Sequence, residues 1–498
     1  MKEKVNFKKQ IFFVYLFSYL TIPFGILIKI FYSNNLNLED FGLFYMIIGF
    51  FSLISIFNDF GFTETLNYYG MKFLIKKKYK YLKLTYLYSI IMQFLTGLII
   101  VILILIFNNF LSQYWFHNEN TKLILKILLI YFLSINIINP PLKLLLIKFD
   151  LFWNKIFKGL MLSLIFLFSY IFVNNFNGSL NNLIIISVIW TIITLILTIF
   201  YFILIKIKFK QEFSNNKFYF NKKLFNQLFK YAIPVVIGNV GNILLSSIDI
   251  QMIGILSNTI NVGYYEITIS IANILFLLIS PISTFIFPLT TKLITEKKSK
   301  KLEKISSVIY SSFLFIIVPL SIILIQYSNF IFNLLFSIDK FYSNILFITL
   351  IISVIFSIFY IYNFQILAGI GLIKERNKLI LFAGISNLIL NFILFYFLGL
   401  NGIGISTMIV SFILFYFSYN IISKNIKIKI FKFKRILFNG IIYYFILKFL
   451  VNIIQIKYLY LKIFLIIFIS ISIYLLLSLL FGIIKLKEIL KFYKKNEK

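Results

Sequence analysis

YAIPVVIGNVGNILLSSIDIQMIGILSNTINVGYYEITISIANILFLLISPISTFIFPLTT, residues 231–291, decides how the whole chain reads. Two apolar runs, each long enough to cross a bilayer, flank a short polar turn near Ser257–Gly263, and Asp249 lies inside the first run. An ionisable group within a membrane span costs about 2.5–3.5 kcal/mol even on the lenient insertion scale, so such a residue faces a partner or a polar cavity. The stretch lies mid-chain and echoes a segment near the start. It is therefore read as the seam of a two-halved helical bundle.

The composition agrees. Of 498 residues, 61% are hydrophobic and only 13% charged, which is far from soluble-domain usage. Cysteine is absent, so disulfides, thiolate metal sites and a cysteine nucleophile are excluded. The net charge of +33 does not mark nucleic-acid binding, because the lysines fall in short runs between apolar spans and form no basic face. The basic start, MKEKVNFKKQ, runs into Ile11–Tyr32 with no small-residue cleavage pattern, and reads as a retained first span.

Fourteen spans follow, at 11–32, 41–62, 84–107, 123–142, 156–174, 183–205, 231–256, 263–288, 305–326, 343–368, 379–398, 403–423, 436–455 and 460–484. If the first tail and every second loop face the cytoplasm, those segments hold 42 of the 49 Lys and Arg residues. The exceptions are Lys29, Lys122, Lys126, Lys340, Lys448, Lys457 and Lys462. That alternation would collapse if one span were missed, and it places both termini in the cytoplasm. The longest outward loops, 108–122 and 327–342, hold no catalytic cluster.

An internal repeat sets Phe41-Gly42-Leu43-Phe44 against Val262-Gly263-Tyr264-Tyr265, 221 residues apart. Six spans separate equivalent points, so the halves are parallel repeats about an axis along the membrane normal. The expected fold is an all-α polytopic membrane protein of about 14 transmembrane helices. It comprises two six-helix lobes related by a pseudo-two-fold axis, residues 1–205 and 231–423, a linker at 206–230, and two further helices with a basic tail over 424–498.

Several fragments carry a family resemblance: Glu39-Asp40-Phe41-Gly42-Leu43-Phe44, Asn58-Asp59-Phe60-Gly61-Phe62, Tyr231-Ala232-Ile233-Pro234, Ser247-Ile248-Asp249-Ile250-Gln251-Met252-Ile253-Gly254 leading to Val262-Gly263-Tyr264-Tyr265, and Asn387-Leu388-Ile389-Leu390-Asn391 followed by Leu400-Asn401-Gly402-Ile403-Gly404-Ile405-Ser406-Thr407. In order and spacing the chain resembles the Wzx-type oligosaccharide and polysaccharide flippases of the multidrug/oligosaccharidyl-lipid/polysaccharide exporter superfamily, over roughly residues 10–425. The resemblance implies a V-shaped pair of lobes around a cavity. It implies movement of an undecaprenyl-diphosphate-linked glycan unit across the bacterial cytoplasmic (inner) membrane by alternating access, without covalent catalysis. It further implies no bound cofactor, coupling to H+ or Na+, and as partners the lipid-linked glycan, membrane lipids, and the glycan polymerase and glycosyltransferases of the same route, as in O-antigen and lipopolysaccharide synthesis. This chain departs in having few cationic residues inside its spans. A cation-coupled multidrug exporter of the same superfamily, and a membrane-embedded glycan polymerase or ligase, are the alternatives; the latter calls for a large external loop that the sequence lacks.

The working residues are sought among polar groups inside the spans. Lys29, about one turn before the outward end of span one, either meets a lipid diphosphate or snorkels to the interface. Asp249 either carries the coupling ion or pairs structurally with Gln251, Asn242 or Lys29. Asp59 and Glu64, at the inward end of span two, are coupling candidates whose structural alternative is pairing with loop lysines. Glu266 is expected to open span eight near a helix N-terminus, favoured there by the dipole. Asn239, Asn242, Gln251, Gln365, Asn387 and Asn391 either bond sugar hydroxyls or bridge helices, and Asn387 and Asn391, four apart, share a helix face. Pro140-Pro141 should end span four, while Pro234, Pro281, Pro288 and Pro319 bend helices. Lys148, Asp150, Lys155 and Lys158 lie at headgroup level, either topogenic or receiving an anionic head, and His117 has no second metal ligand nearby.

Overall fold

A computed structural model of the chain describes residues 21 and 23–481, apart from 149, 176–177, 214–219, 279, 337–341, 427, 429–432 and 454–458. The basic tails at 1–10 and 485–498, and Lys217, Lys340 and Lys457, lie outside the described residues. Among those described there is no strand. With long apolar runs and no water to satisfy backbone groups, helices close their own hydrogen bonds, which is why hydrophobic length translates directly into helix.

The chain divides into two compact units. The first holds the described residues up to Ser270 together with Asn377–Ser406, and the second holds Ile271–Arg376 with the described residues from Thr407 onward. The first unit comprises α1 (23–35), α2 (Leu38–Ile54), α3 (Phe62–Ile75), α4 (Tyr79–Ile106), α5 (Thr121–Ile137), α6 (Asn139–Ile147), α7 (Leu151–Val173), α8 (Ser179–Lys208), α9 (Lys222–Leu256) and nearly all of α10 (Thr259–Ala272). The second contains α11 (Ser280–Thr295), α12 (Ser299–Gln326), α13 (Ser328–Leu335) and α14 (Asn344–Gly369). Most of α15 (Ile373–Leu398) and the first turns of α16 (Leu400–Ser423) return to the first unit, while the rest of α16, α17 (Phe433–Ile453) and α18 (Leu459–Leu480) belong to the second.

Where they are described, the fourteen expected spans fall mainly on helix, and ten helical stretches among the described residues are long and apolar enough to cross a membrane; 11–20 of span one and 482–484 of span fourteen lie outside the described residues. The chain is an all-α, multi-pass membrane protein. Three local expectations change. Span two is one 38-residue stretch, Leu38–Ile75, broken at Ser55–Gly61, where Asp59, Phe60 and Gly61 all take left-handed φ angles of 73°, 44° and 78°. Pro140-Pro141 does not end span four: the prolines sit in the first turn of α6, where their missing N–H is no loss, and helix continues to Ile147. The polar turn before α10 shrinks to Ser257–Asn258, so Glu266 stands two turns inside α10 and not at its start.

Apolar and aromatic contacts fill each unit. In the first, Tyr32, Phe44 and Trp190 pack edge-on, with the Trp190 indole donating to Tyr32 Oη at 2.9 Å and Tyr32 Oη 2.9 Å from Ser169 Oγ. In the second, Asn363 Nδ2 donates to Ser418 Oγ at 2.9 Å and Tyr362 Oη to Ser306 Oγ at 3.1 Å, satisfying polar groups that hydrocarbon would leave stranded.

Candidate functional site

The site forms where α9 meets α15 and α16. A Cβ on Gly241 would lie 2.8 Å from Leu381 Cα, and one on Gly384 would lie 3.1 Å from Leu244 Cβ and 3.2 Å from Gly241 O. Lacking Cβ atoms, the two backbones touch. Two turns further along both helices, Asp249 on α9 comes opposite Asn387 and Asn391 on α15. Asn387 Nδ2 and Asn391 Nδ2 each donate to Asp249 Oδ1 at 2.7 Å, and Tyr265 Oη of α10 donates to Asp249 Oδ2 at 2.8 Å. Ser406 of α16 donates to Asn387 Oδ1 at 3.1 Å, while Asn391 Oδ1 is buried with no hydrogen-bond partner among the described residues. Asp249 is 7% exposed.

Burying a carboxylate costs several kcal/mol, and charge-assisted hydrogen bonds from three neutral donors offset part of that cost. The arrangement is also convertible. Rotating either amide by half a turn exchanges its Nδ2 for Oδ1, so the residues that cradle a carboxylate also present oxygens to a hard cation. The sequence put Asp249, Asn387 and Asn391 forward separately; the structure joins them. It also adds Tyr265 and Ser406, which lie in fragments that carry the resemblance but were not put forward as site residues, although both are polar groups inside apolar runs. Of the expected structural partners of Asp249, Gln251 donates from Nε2 to Met46 O at 2.8 Å and accepts the Trp115 indole N–H at 2.9 Å. Asn242 is exposed on α9, as is Asn239, and Gln365 is half-buried on α14 in the second unit.

Beside this cluster, α2 and α10 cross through the two glycines of the internal repeat. A Cβ on Gly42 would fall 1.8 Å from Thr259 O and 2.8 Å from Gly263 N; one on Gly263 would fall 2.6 Å from Leu38 O. Positions 38 and 259 are themselves repeat equivalents, so the contact is reciprocal, as a local two-fold axis demands. Next to the crossing, Lys29 Nζ pairs with Glu266 Oε2 at 2.6 Å and stands 5.1 Å from the ring centre of Tyr45, the repeat equivalent of Glu266. The Lys29 side chain is 23% exposed and that of Glu266 6%. Ser247 Oγ of α9 donates to Ser52 Oγ of α2 at 2.8 Å further along the same seam.

The break between α2 and α3 holds a second polar feature. Among the described residues Asp59 has no lysine partner; its carboxylate accepts the Thr63 N–H, in the first turn of α3, at 3.0 and 3.2 Å. Glu64 does pair with a lysine, Lys143, at 2.6 Å, though the expected loop there is helix and Lys143 lies in α6. Asn58, Asp59, Gln93, Asn136, Asn139 and Asn239 line a cavity of about 130 Å³. Asn136 and Asn139 spend their Nδ2 donors on the carbonyls of Phe132 and Ile135, at 2.7 and 3.4 Å. Asn58 Nδ2 is buried without a hydrogen-bond partner. Gln93 and Asn136 escaped the sequence reading, their signal being amides in runs that are otherwise apolar. Lys148 pairs with Glu212 at 2.8 Å and Lys208 with Asp150, which ties the start of α7 to the end of α8. Among the described residues no His, Cys, Asp or Glu group is set to hold a metal.

Residues 7–294 match the family described as polysaccharide biosynthesis protein. A membrane protein of Methanocaldococcus jannaschii is 26% identical over 408 residues, 78% of each chain. Among solved structures, the lipid II flippase MurJ in an inward closed conformation superposes with a TM-score of 0.76 at 16% identity, covering 94% of this chain and 98% of that one. An inward-facing multidrug resistance MATE family transporter of the MOP superfamily gives 0.66 at 16% identity, covering 81% and 95%. At such identities the likeness is one of fold.

Proposed function

Because the chain belongs to the polysaccharide biosynthesis protein family and folds like MOP-superfamily transporters, we propose that it flips a lipid-diphosphate-linked glycan unit across the cytoplasmic membrane by alternating access. The coupling ion, H+ or Na+, is taken and released at Asp249. The observation that carries this reading is the buried Asp249–Asn387–Asn391 cluster, with Tyr265 on the second carboxylate oxygen. With the carboxylate charged, the amides turn their donors inward; with Na+ present, their oxygens replace the donors; with a proton present, the charge disappears and the cluster relaxes. Each ionic state thus favours a different packing of α9 against α15 and α10, which is the differential interaction that coupling requires.

The amide-lined cavity at the α2–α3 break, at about 130 Å³, is too small to enclose a glycan unit, but its groups are of the kind that a sugar hydroxyl on a passing glycan would meet. Its groups are mostly acceptors with a few donors, which suits hydroxyls, and the Asp59 carboxylate disfavours a diphosphate there. The diphosphate is met by Lys29 once the Glu266 pair opens. The chain acts without covalent chemistry, with its lysine-rich loops in the cytoplasm and lipid-linked glycan and membrane lipids as its partners.

Reconstitution into liposomes tests the proposal. An undecaprenyl-diphosphate-linked sugar should become accessible in the opposite leaflet only with protein present, while a soluble cationic dye should not accumulate. Dye transport without lipid flipping would favour the multidrug-exporter reading that the fold also admits.

A further inference from the structure

A different part of the first unit holds a groove that the transport reading does not use. A groove of about 720 Å³ opens between α4, the end of α8 and the short helix Lys210–Phe213. That volume lies within the ~300–1,000 Å³ usual for small-molecule sites. Its lining is segregated. Lys83, Lys206 and Lys210 stand at one end, and Leu87, Ile90 and Ile203 continue away from them along the two helices.

The spacing explains the segregation. Residues 83, 87 and 90 follow one face of α4, and Ile90 lies ~10 Å beyond Lys83 at 1.5 Å per residue. On α8, Ile203 precedes Lys206 by one turn. Ionised groups at the ends of both helices thus sit over an apolar trough aimed toward the membrane interior. Lys83 Nζ donates to Phe213 O at 3.0 Å, and Tyr86 stacks on Phe213 at 5.9 Å, so the rim is held in place. The nearby carboxylate of Glu212 pairs with Lys148 at 2.8 Å.

We infer that this groove binds an anionic phospholipid, its phosphodiester at Lys83, Lys206 and Lys210 and one acyl chain along Leu87, Ile90 and Ile203. The charge complementarity selects the occupant: a zwitterionic lipid brings its own cation to the three lysines, and a soluble phosphate leaves the apolar trough exposed. The site lies at the end of the spans where lysines collect, the level at which anionic headgroups reside.

Native mass spectrometry of the full-length protein, titrated with phosphatidylglycerol or phosphatidylcholine, tests the site. Wild type should retain phosphatidylglycerol preferentially. The double variant Lys206→Gln/Lys210→Gln changes two exposed side chains and keeps the Lys83 anchor, so folding is spared; it should bind phosphatidylglycerol ~30-fold more weakly. Ile203→Asn should also weaken retention although no charge is altered. Lys297→Gln/Lys300→Gln, which removes the same charge from around the exposed start of α12 in the second unit, should change nothing. Equal loss in that control, no loss in the groove variant, or displacement by soluble glycerol phosphate as effective as by lipid would each overturn the assignment.

Discussion

Replacing Gly42 by alanine strikes the crossing of α2 and α10 at the point where it has least slack. The new Cβ would stand 1.8 Å from the Thr259 carbonyl oxygen, where ordinary contact begins at 3.4 Å, and the obstacle is backbone, which cannot swing aside. The helices must part by roughly 1.5 Å, an overpacking whose usual cost is about 1–3 kcal/mol; the backbone obstacle puts this case near the top of that range. We propose that the α2–α10 crossing parts during alternating access; the cost then falls only on the arrangement in which the helices touch and shifts the population away from it by up to ~100-fold. The absence of native cysteine makes the assay clean. Ser52→Cys/Ser247→Cys places two thiols where hydroxyls now lie 2.8 Å apart, close enough for oxidative cross-linking to report the contact. Cross-linking should be fast in this background and at least tenfold slower when Gly42→Ala is added. Gly25→Ala, whose Cβ would meet only Leu162 Cδ1 at 3.9 Å, should leave the rate unchanged. Undiminished cross-linking in the Gly42→Ala protein at normal expression would refute the argument that this contact defines a closed state.

Further outcomes follow from the ion pairs and the topology. Lys29→Gln should lower thermal stability in detergent more than Glu266→Gln, by about 1–3 kcal/mol, because it strands the less exposed carboxylate. Joining the two substitutions should restore stability but not transport if Lys29 also meets diphosphate, whereas recovery of both would leave Lys29 a purely structural role. Glu64→Gln should cost under about 1 kcal/mol and leave transport intact, since the pair with Lys143 is partly exposed; abolished transport would return Glu64 to the coupling machinery. Reporter fusions at Lys77, Lys217 and Lys298 should all register the cytoplasm, and an outward signal at any of them would break the span order.

Hydropathy made the helices legible because in a bilayer length and apolarity leave little else to decide. The repeat was legible too: Gly42 and Gly263 were paired by similarity alone, and their reciprocal contact gives that similarity a physical cause. Partnerships across the bundle were not. Asp249 meets Asn387 and Asn391 138 and 142 residues away, and Lys29 meets Glu266 at a separation of 237. The i, i+4 spacing showed that the two asparagines share a face but not what that face meets. The break at Asp59-Phe60-Gly61 escaped because two of its three left-handed residues are not glycine, so residue type did not announce the bend. Pro140-Pro141 misled for the opposite reason, since proline stops a helix it interrupts yet suits one it begins.

The direct test of the account is ion-gradient dependence of flipping in proteoliposomes, wild type against Asp249→Asn at equal protein content. The wild-type rate for an undecaprenyl-diphosphate-linked sugar should rise when an H+ or Na+ gradient is imposed, and the variant, which keeps the hydrogen-bonding shape but not the ionisable group, should lose that response. A variant that answers the gradient as wild type does would contradict the assignment of coupling to Asp249.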